Sequence, residues 1–197
     1  MENMENTKNT QDVRQQHSLA DIRQMALIGL MTAVICIIAP FSLHIPVSPV
    51  PISLAIFAVC ITTYILGLKK GLLCTLLYIV IGLAGVPVFS GFSSGPGVLF
   101  GPTGGYLAAY ILIVLCEGFC VDRFRSKPWT HVVGMVVGIA LCYFCGTIRL
   151  AQLNSLSFSA AFAAGVIPFI PGDIAKVIIV MIIGPQVYKA LIHAKML

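Results

Sequence analysis

Long apolar stretches without a charged residue dominate the chain. No Lys, Arg, Asp or Glu occurs in residues 24–68, and none occurs in residues 71–116. Each stretch is too long for one membrane-spanning helix, which needs about 20 apolar residues. Clustered prolines divide the first stretch near residues 39–53, and Gly, Pro and Ser divide the second near residues 85–105, because these residues end helices. The pattern therefore predicts four spans, at residues 24–41, 52–68, 71–85 and 104–121.

The carboxyl-terminal half predicts two further spans, at residues 130–148 and 173–190. Between them, residues 155–170 are apolar but short, and Gly165 and Pro168 interrupt them. We interpret this segment as a partial helix and a loop folded back into the protein, since irregular backbone at membrane depth must be covered by protein or line a cavity. The predicted fold class is all-α, a six-helix transmembrane bundle formed by a single membrane domain at residues 21–197.

Composition agrees with a membrane location. Hydrophobic residues make up 58% of the chain and charged residues 10%, whereas soluble domains carry about 25% charged residues; the mean hydropathy is +0.99. We therefore expect the lipid bilayer of the plasma membrane as the environment, and no nucleic-acid partner. Residues 1–20 are polar and lack the apolar stretch of a secretory signal, so they are predicted to form a loose cytoplasmic tail.

Basic residues fall mainly on one side of the six predicted spans. The opposite side receives only Arg149 and Lys176. Cytoplasmic loops carry the excess of Lys and Arg, so both termini are predicted to be cytoplasmic. The ten basic residues on that side are Lys8, Arg14, Arg23, Lys69, Lys70, Arg123, Arg125, Lys127, Lys189 and Lys195.

The sharpest candidate for binding chemistry is the pair Asp173 and Lys176, at the start of the last predicted helix. Their i, i+3 spacing places both side chains on one face, and Asp173 lies near the positive end of the helix dipole. Ionisable residues inside membrane segments are rare and usually functional. The loops on this side are apolar, aromatic and rich in Pro and Gly, which favours a small-molecule site. The alternatives are a purely structural ion pair, or a lysine that only reaches to the interface.

A second candidate is the segment Gly101-Pro-Thr-Gly-Gly-Tyr106. Glycine lets a backbone approach a ligand closely, and the N–H groups of Gly104 and Gly105 would either cap the following helix or face a ligand. The segment lacks the Gly-Lys-Ser/Thr of a nucleotide loop, so no ATP site is predicted. We expect no metal, no cofactor and no catalytic residue, and interpret the seven cysteines as apolar packing residues.

Two charged residues allow more than one interpretation. Arg149, at the outer end of the fifth span, either extends to the membrane interface or helps to hold an anionic ligand. Glu117, near the inner end of its span, is predicted to pair with Arg123 or to reach water.

The first span carries a stripe of small residues formed by Ala26, Gly29 and Ala33. Small residues at this spacing let another helix approach closely. The stripe therefore predicts either packing within this chain or contact with a partner subunit.

Three segments together resemble the biotin-specific S component, BioY, of energy-coupling factor (ECF) transporters. They are Gly85-Val-Pro-Val-Phe89, Gly101–Tyr106 and Pro168-Phe-Ile-Pro-Gly-Asp-Ile-Ala-Lys176, and the resemblance extends over roughly residues 20–190. It implies six helices, an outward-accessible biotin site, and partnership with a transmembrane T component and two cytoplasmic ATPases. One departure is Gly146-Thr-Ile-Arg149, where an aromatic residue, often Trp, is expected after Gly-Thr-x.

The resemblance also implies residue roles. The small-residue motif that docks the T component corresponds to Ala26, Gly29 and Ala33. The Asp of the last helix would accept from the ureido N–H groups of biotin, and the Lys would donate to the ureido carbonyl or pair with the carboxylate. The predicted substrate-binding residues are Asp173, Lys176, Thr103, Gly104, Tyr106, Phe89 and Gly91.

The predicted function is capture of biotin with high affinity and its delivery through an ATP-driven ECF module. One alternative is an S component for a different vitamin. Another is an intramembrane enzyme that uses Asp173 as an acid or base, and a third is a structural membrane protein without a ligand.

Overall fold

The computed structural model describes residues 22–43, 51–194 and 196–197. The predicted tail at residues 1–20 lies outside them. Two short antiparallel strands, β1 (Ser42–Leu43) and β2 (Ile52–Ser53), pair with each other, and a short 3-10 helix spans Ser90–Phe92. The helices are α1 (Ile22–Ile38), α2 (Ala55–Leu83), α3 (Pro96–Phe100), α4 (Gly104–Phe124), α5 (Pro128–Asn154), α6 (Phe158–Gly165) and α7 (Ile170–His193).

The predicted all-α class is confirmed. Within the described ranges, α2, α4, α5 and α7 are long and apolar enough to cross a membrane, and α1 is apolar but shorter. The large apolar side chains exposed along these helices suit a surface that faces lipid; they include Leu73, Phe119, Val136 and Ile182.

Helix α2 contains a sharp reversal at Gly67, whose φ of 76° and ψ of −172° are not helical. A Cβ atom placed on Gly71 would lie 3.1 Å from the Cα of Thr63, although eight residues of straight helix would separate the two positions by about 12 Å. The two arms of α2 therefore fold back on each other. The backbone N–H of Leu68 donates to Asp122 Oδ2 at 3.2 Å, which fixes the reversal against the end of α4.

Helices α4 and α5 run antiparallel and approach closely where α5 has glycine. A Cβ atom on Gly138 would lie 2.7 Å from the Cα of Ile113, and one on Gly134 would lie 2.9 Å from the Cα of Glu117. The buried centre of the bundle lies between α2, α4, α5 and α7. Its fully or almost fully buried side chains include Ile65, Ile113, Met135 and Val180.

Several helix ends differ from the predicted bounds for identifiable reasons. Helix α1 ends at Ile38 rather than residue 41, because a proline at position 40 disfavours helical backbone before it. Helix α5 continues to Asn154 rather than residue 148, and ends where Ser155 adopts a left-handed conformation. Helix α7 begins at Ile170 rather than residue 173, since proline is tolerated in the first turn of a helix.

The two ends of the bundle differ in character. One, which we call the basic end, contains the α2 reversal and the α4–α5 connection, with Lys69, Lys70, Arg123, Arg125 and Lys127. The other, which we call the cavity end, contains β1, β2 and the connections at residues 84–103 and 155–169. The predicted partial helix at this end is α6, capped by the Ser157 side chain.

Candidate functional site

A cavity of about 600 Å³, counting the space at its mouth, lies at the cavity end. Aromatic side chains from α2, α4, α5 and two connections supply much of its wall: Tyr78, Phe89, Tyr106, Tyr110, Tyr143 and Phe169. The other lining residues are Pro51, Ser53, Ile56, Ser90, Val98, Thr103, Leu107, Asp173 and Lys176.

Asp173 and Lys176 lie on one face of α7, as predicted, and they bind each other. Lys176 Nζ donates to Asp173 Oδ1 at 2.7 Å, and the two residues are only 7% and 3% exposed, respectively. The hydroxyl of Tyr143 on α5 donates to the other carboxylate oxygen, Oδ2. The buried carboxylate is therefore held from two sides, which offsets the cost of removing it from water.

The Lys176 ammonium also links α7 to β2, whose Ser53 lines the cavity. Nζ donates to the backbone oxygen of Ser53 in β2 at 2.7 Å. An ammonium has three donors and a carboxylate has about four lone-pair positions, so neither partner is saturated by these bonds. A ligand in the cavity can accept from Lys176 and donate to Asp173 while the ion pair stays intact.

The Gly101–Tyr106 segment divides into residues that line the cavity and one that shapes the backbone. Thr103 and Tyr106 line it, whereas Gly104 does not. The N–H of Gly104 donates to Gly101 O at 3.1 Å, and a Cβ atom at position 104 would collide with the carbonyl oxygen of Leu99. Gly104 therefore lets the backbone of α3 pack on the start of α4. Its N–H stabilises the turn between the two helices.

Tyr106 is fixed by contacts that are far away in sequence. Its hydroxyl donates to Gly165 O at the end of α6 at 3.0 Å. Its ring packs against Gly146 on α5, where any Cβ atom would collide with it. The Gly146-Thr-Ile-Arg149 segment thus contributes a glycine that accommodates an aromatic ring of the cavity wall.

Phe89 and Gly91 lie close in sequence but differ in position. Phe89 is 1% exposed, lines the cavity and packs edge-on against Tyr78 with ring centroids 5.5 Å apart. Gly91 is exposed and does not line the cavity; its N–H donates to Pro40 O at 2.9 Å. Its φ of 68° suits glycine, so Gly91 shapes the loop that carries Phe89.

Sequence reasoning missed five polar residues of the cavity wall: Ser53, Tyr78, Ser90, Tyr110 and Tyr143. The three tyrosines had a usable signal, because a tyrosine inside an apolar span needs a partner for its hydroxyl. Ser53 had none, since its contribution is a backbone oxygen.

The small-residue stripe on α1 faces outward. Ala26, Gly29 and Ala33 are exposed, and a Cβ atom on Gly29 would meet nothing within 4 Å. The opposite face of α1 carries the buried Leu27 and Ile35. Among the residues described by the structure, the stripe therefore packs against nothing, and packing within this part of the chain does not explain it.

Arg149 and Glu117 lie in contrasting surroundings. Arg149 does not line the cavity, and its guanidinium donates to Phe100 O at 2.9 Å. The prediction that Glu117 pairs with Arg123 or reaches water is wrong, because Glu117 is 0% exposed. Neither of its carboxyl oxygens has a hydrogen-bond partner in the described ranges, since α4 turns this side chain toward α2 and α5.

The fold is that of a known class of membrane protein. It matches a solved structure described as the S component for biotin from an ECF-type ABC transporter, with a TM-score of 0.80 and 24% sequence identity. The match covers 86% of this chain and 92% of the solved one. The S-component fold, with its apolar helices, defines a multi-pass membrane protein.

Sequence comparison identifies the family. The model of the BioY family matches residues 8–193. The biotin transporter BioY of Thermotoga maritima is 34% identical, over 85% of this chain and 97% of its own length. The biotin transporter BioY2 of Lactococcus lactis is also 34% identical, over 86% of this chain and 92% of its own. The chain belongs to the BioY family, and it is a transport protein of the plasma membrane rather than an enzyme.

Proposed function

We propose that the chain captures biotin in the cavity at the cavity end and delivers it through an ATP-driven ECF module. The observation that carries the proposal is the buried Asp173–Lys176 pair, which lines an aromatic cavity in a chain of the BioY family. Its relatives are named as biotin transporters. We extend that ligand, biotin, to this chain.

The chemistry of biotin fits the cavity wall. The apolar bicycle suits the aromatic side chains, and the two ureido N–H groups are donors for Asp173. Lys176 is a donor for the ureido carbonyl or for the valerate carboxylate. A dry site built around charged groups rejects ligands without matching partners, because these groups would be left unpaired.

Two analogues separate the alternatives for Lys176. Biotinamide lacks the carboxylate charge but keeps the ureido group. If Lys176 pairs with the carboxylate, biotinamide binds at least about tenfold more weakly to the wild type, and the Lys176→Met variant no longer distinguishes the two ligands. If Lys176 contacts the ureido carbonyl, Lys176→Met weakens both ligands equally. Desthiobiotin, which retains both polar groups, is the control.

The experiment that tests the ligand is calorimetric titration of the isolated chain with biotin, thiamine, riboflavin and folate. Saturable binding of biotin alone is expected. Selective binding of another vitamin would replace biotin as the substrate, and absence of binding by all four would contradict a vitamin-capturing role.

We infer six membrane crossings, formed by α1, the two arms of α2, α4, α5 and α7, with both termini cytoplasmic. The reversal at Gly67 and the accumulation of Lys and Arg at the basic end support this topology. The cavity then opens outward. Green fluorescent protein fused to the carboxyl terminus should fluoresce and an alkaline phosphatase fusion should be inactive; the reverse pattern would contradict the orientation.

The partners of this function are a transmembrane T component and two cytoplasmic ATPases. We propose that the T component docks on Ala26, Gly29 and Ala33, and the exposure of this stripe supports the assignment. Gly29→Leu or Ala33→Leu should abolish co-purification with the T component and leave biotin affinity unchanged. Ala190→Leu, on an exposed position of α7, is the matched control. Normal co-purification of both stripe variants would place the docking face elsewhere.

A further inference from the structure

A shallow groove runs between α4 and α5 on the outside of the bundle, near the cavity end. Its sides are mainly apolar, with Ala108 and Leu112 on α4 and Ile148 on α5, and two polar residues, Arg149 and Gln152, lie along α5 toward the cavity end. Ala108, Ile148 and Gln152 are exposed. The groove is separate from the ligand cavity, because the two share no lining residue.

The groove exists because the two helices touch at a glycine. A Cβ atom on Gly105 would lie 2.6 Å from Arg149 Cβ and 3.0 Å from Cys145 O. The α5 backbone therefore lies directly against α4 at this point, and the small side chain of Ala108 leaves the channel beside it unfilled. The result is an apolar channel with a cation beside one end.

The cation at this end lacks an anionic partner. The Arg149 guanidinium donates one hydrogen bond, to the neutral carbonyl oxygen of Phe100. No carboxylate in the ranges described by the structure forms an ion pair with it. A guanidinium has five N–H donors in a planar fork that matches the oxygens of phosphate, so most of its donors are available to an anion outside the bundle.

We propose that this groove binds one phospholipid of the surrounding leaflet, with the phosphate on Arg149 and Gln152 and an acyl chain along Ala108, Leu112 and Ile148. The charge fits a phosphodiester, and the apolar channel fits an alkyl chain that is already dissolved in the membrane. An anionic lipid such as phosphatidylglycerol is preferred, because it brings no cationic headgroup next to Arg149. This lipid site is independent of the ligand proposed for the cavity.

Native mass spectrometry of the full-length protein, purified in detergent with added phosphatidylglycerol, tests the proposal. We expect one retained lipid per chain. Arg149→Gln should reduce its occupancy at least about fivefold by removing the charge, and Ala108→Phe should do so by filling the channel while keeping Arg149. Arg123→Gln, at the opposite end of α4, is the matched control and should retain the lipid.

Three outcomes would overturn the lipid site. The first is unchanged lipid retention in both Arg149→Gln and Ala108→Phe. The second is equal loss in Arg123→Gln, which would indicate attraction by net charge alone. The third is a loss of biotin affinity in Arg149→Gln with unchanged lipid retention, which would assign Arg149 to the ligand instead.

Discussion

Two carboxyl groups, Asp173 and Glu117, are both buried within helices of the bundle, but their surroundings differ. Asp173 accepts from Lys176 and Tyr143 and lines a cavity. Neither oxygen of Glu117 has a hydrogen-bond partner among the residues that the structure describes. The difference shows that a buried carboxyl group in a membrane helix does not by itself line a cavity or acquire partners. Asp173 is the stronger candidate for a binding residue, because its partners hold it in place at the wall of a cavity.

Removing the paired carboxyl group, Asp173, should have the largest effect on stability and on biotin binding. Asp173→Leu leaves the Lys176 ammonium buried without its counter-ion, and we expect a loss of stability of about 3 kcal/mol. The double variant Asp173→Leu/Lys176→Met should recover most of this loss but still fail to bind biotin. Thermal unfolding in detergent and biotin titration measure the two effects. Normal biotin binding by the double variant would mean that the Asp173–Lys176 pair is only a structural ion pair.

Removing one support of Asp173 should have a smaller effect. Tyr143→Phe deletes the hydroxyl that donates to Oδ2, and a hydrogen bond to a charged group contributes about 1.5 kcal/mol. We therefore expect roughly tenfold weaker biotin binding. Tyr188→Phe, near Arg125 at the basic end, is the control and should bind normally. Equal affinity of Tyr143→Phe and the wild type would show that this bond does not prepare the site.

Changing the unpaired carboxyl group, Glu117, should have the smallest effect on stability. The expected change is a gain rather than a loss. Glu117→Met replaces a buried polar group without partners by an apolar one of similar length, so we expect a gain in stability of about 1 kcal/mol. Glu117→Gln keeps a polar group there and should show no such gain. A destabilised Glu117→Met variant would indicate that Glu117 has a partner, such as a buried water.

The apolar helices were predictable because each needs a long apolar run, and the pair Asp173 and Lys176 was predictable because charges are rare in such runs. The reversal of α2 was expected at Lys69 and Lys70, where the charges lie. It occurs at Gly67, because a positive φ and the approach of Asp122 select glycine there.

The remaining part of the site depends on contacts that one sequence does not display. Tyr143 reaches Asp173 across 30 residues, and Tyr106 reaches Gly165 across 59. Gly104 and Gly91 were predicted to bind substrate, but the structure places both outside the cavity wall, where they shape the backbone. A glycine in a motif indicates close approach of the backbone, but not whether a ligand or another segment makes that approach.

The central claim is that the cavity beside Asp173 binds biotin. Calorimetric titration of Asp173→Asn, with the wild type and Glu117→Gln as references, tests it most directly, since both substitutions change a buried carboxyl to an amide of equal size. We predict that Asp173→Asn binds biotin at least about 30-fold more weakly, a loss of about 2 kcal/mol, and that Glu117→Gln stays within about twofold of the wild type. Wild-type affinity in Asp173→Asn, or an equal loss in Glu117→Gln, would contradict the account.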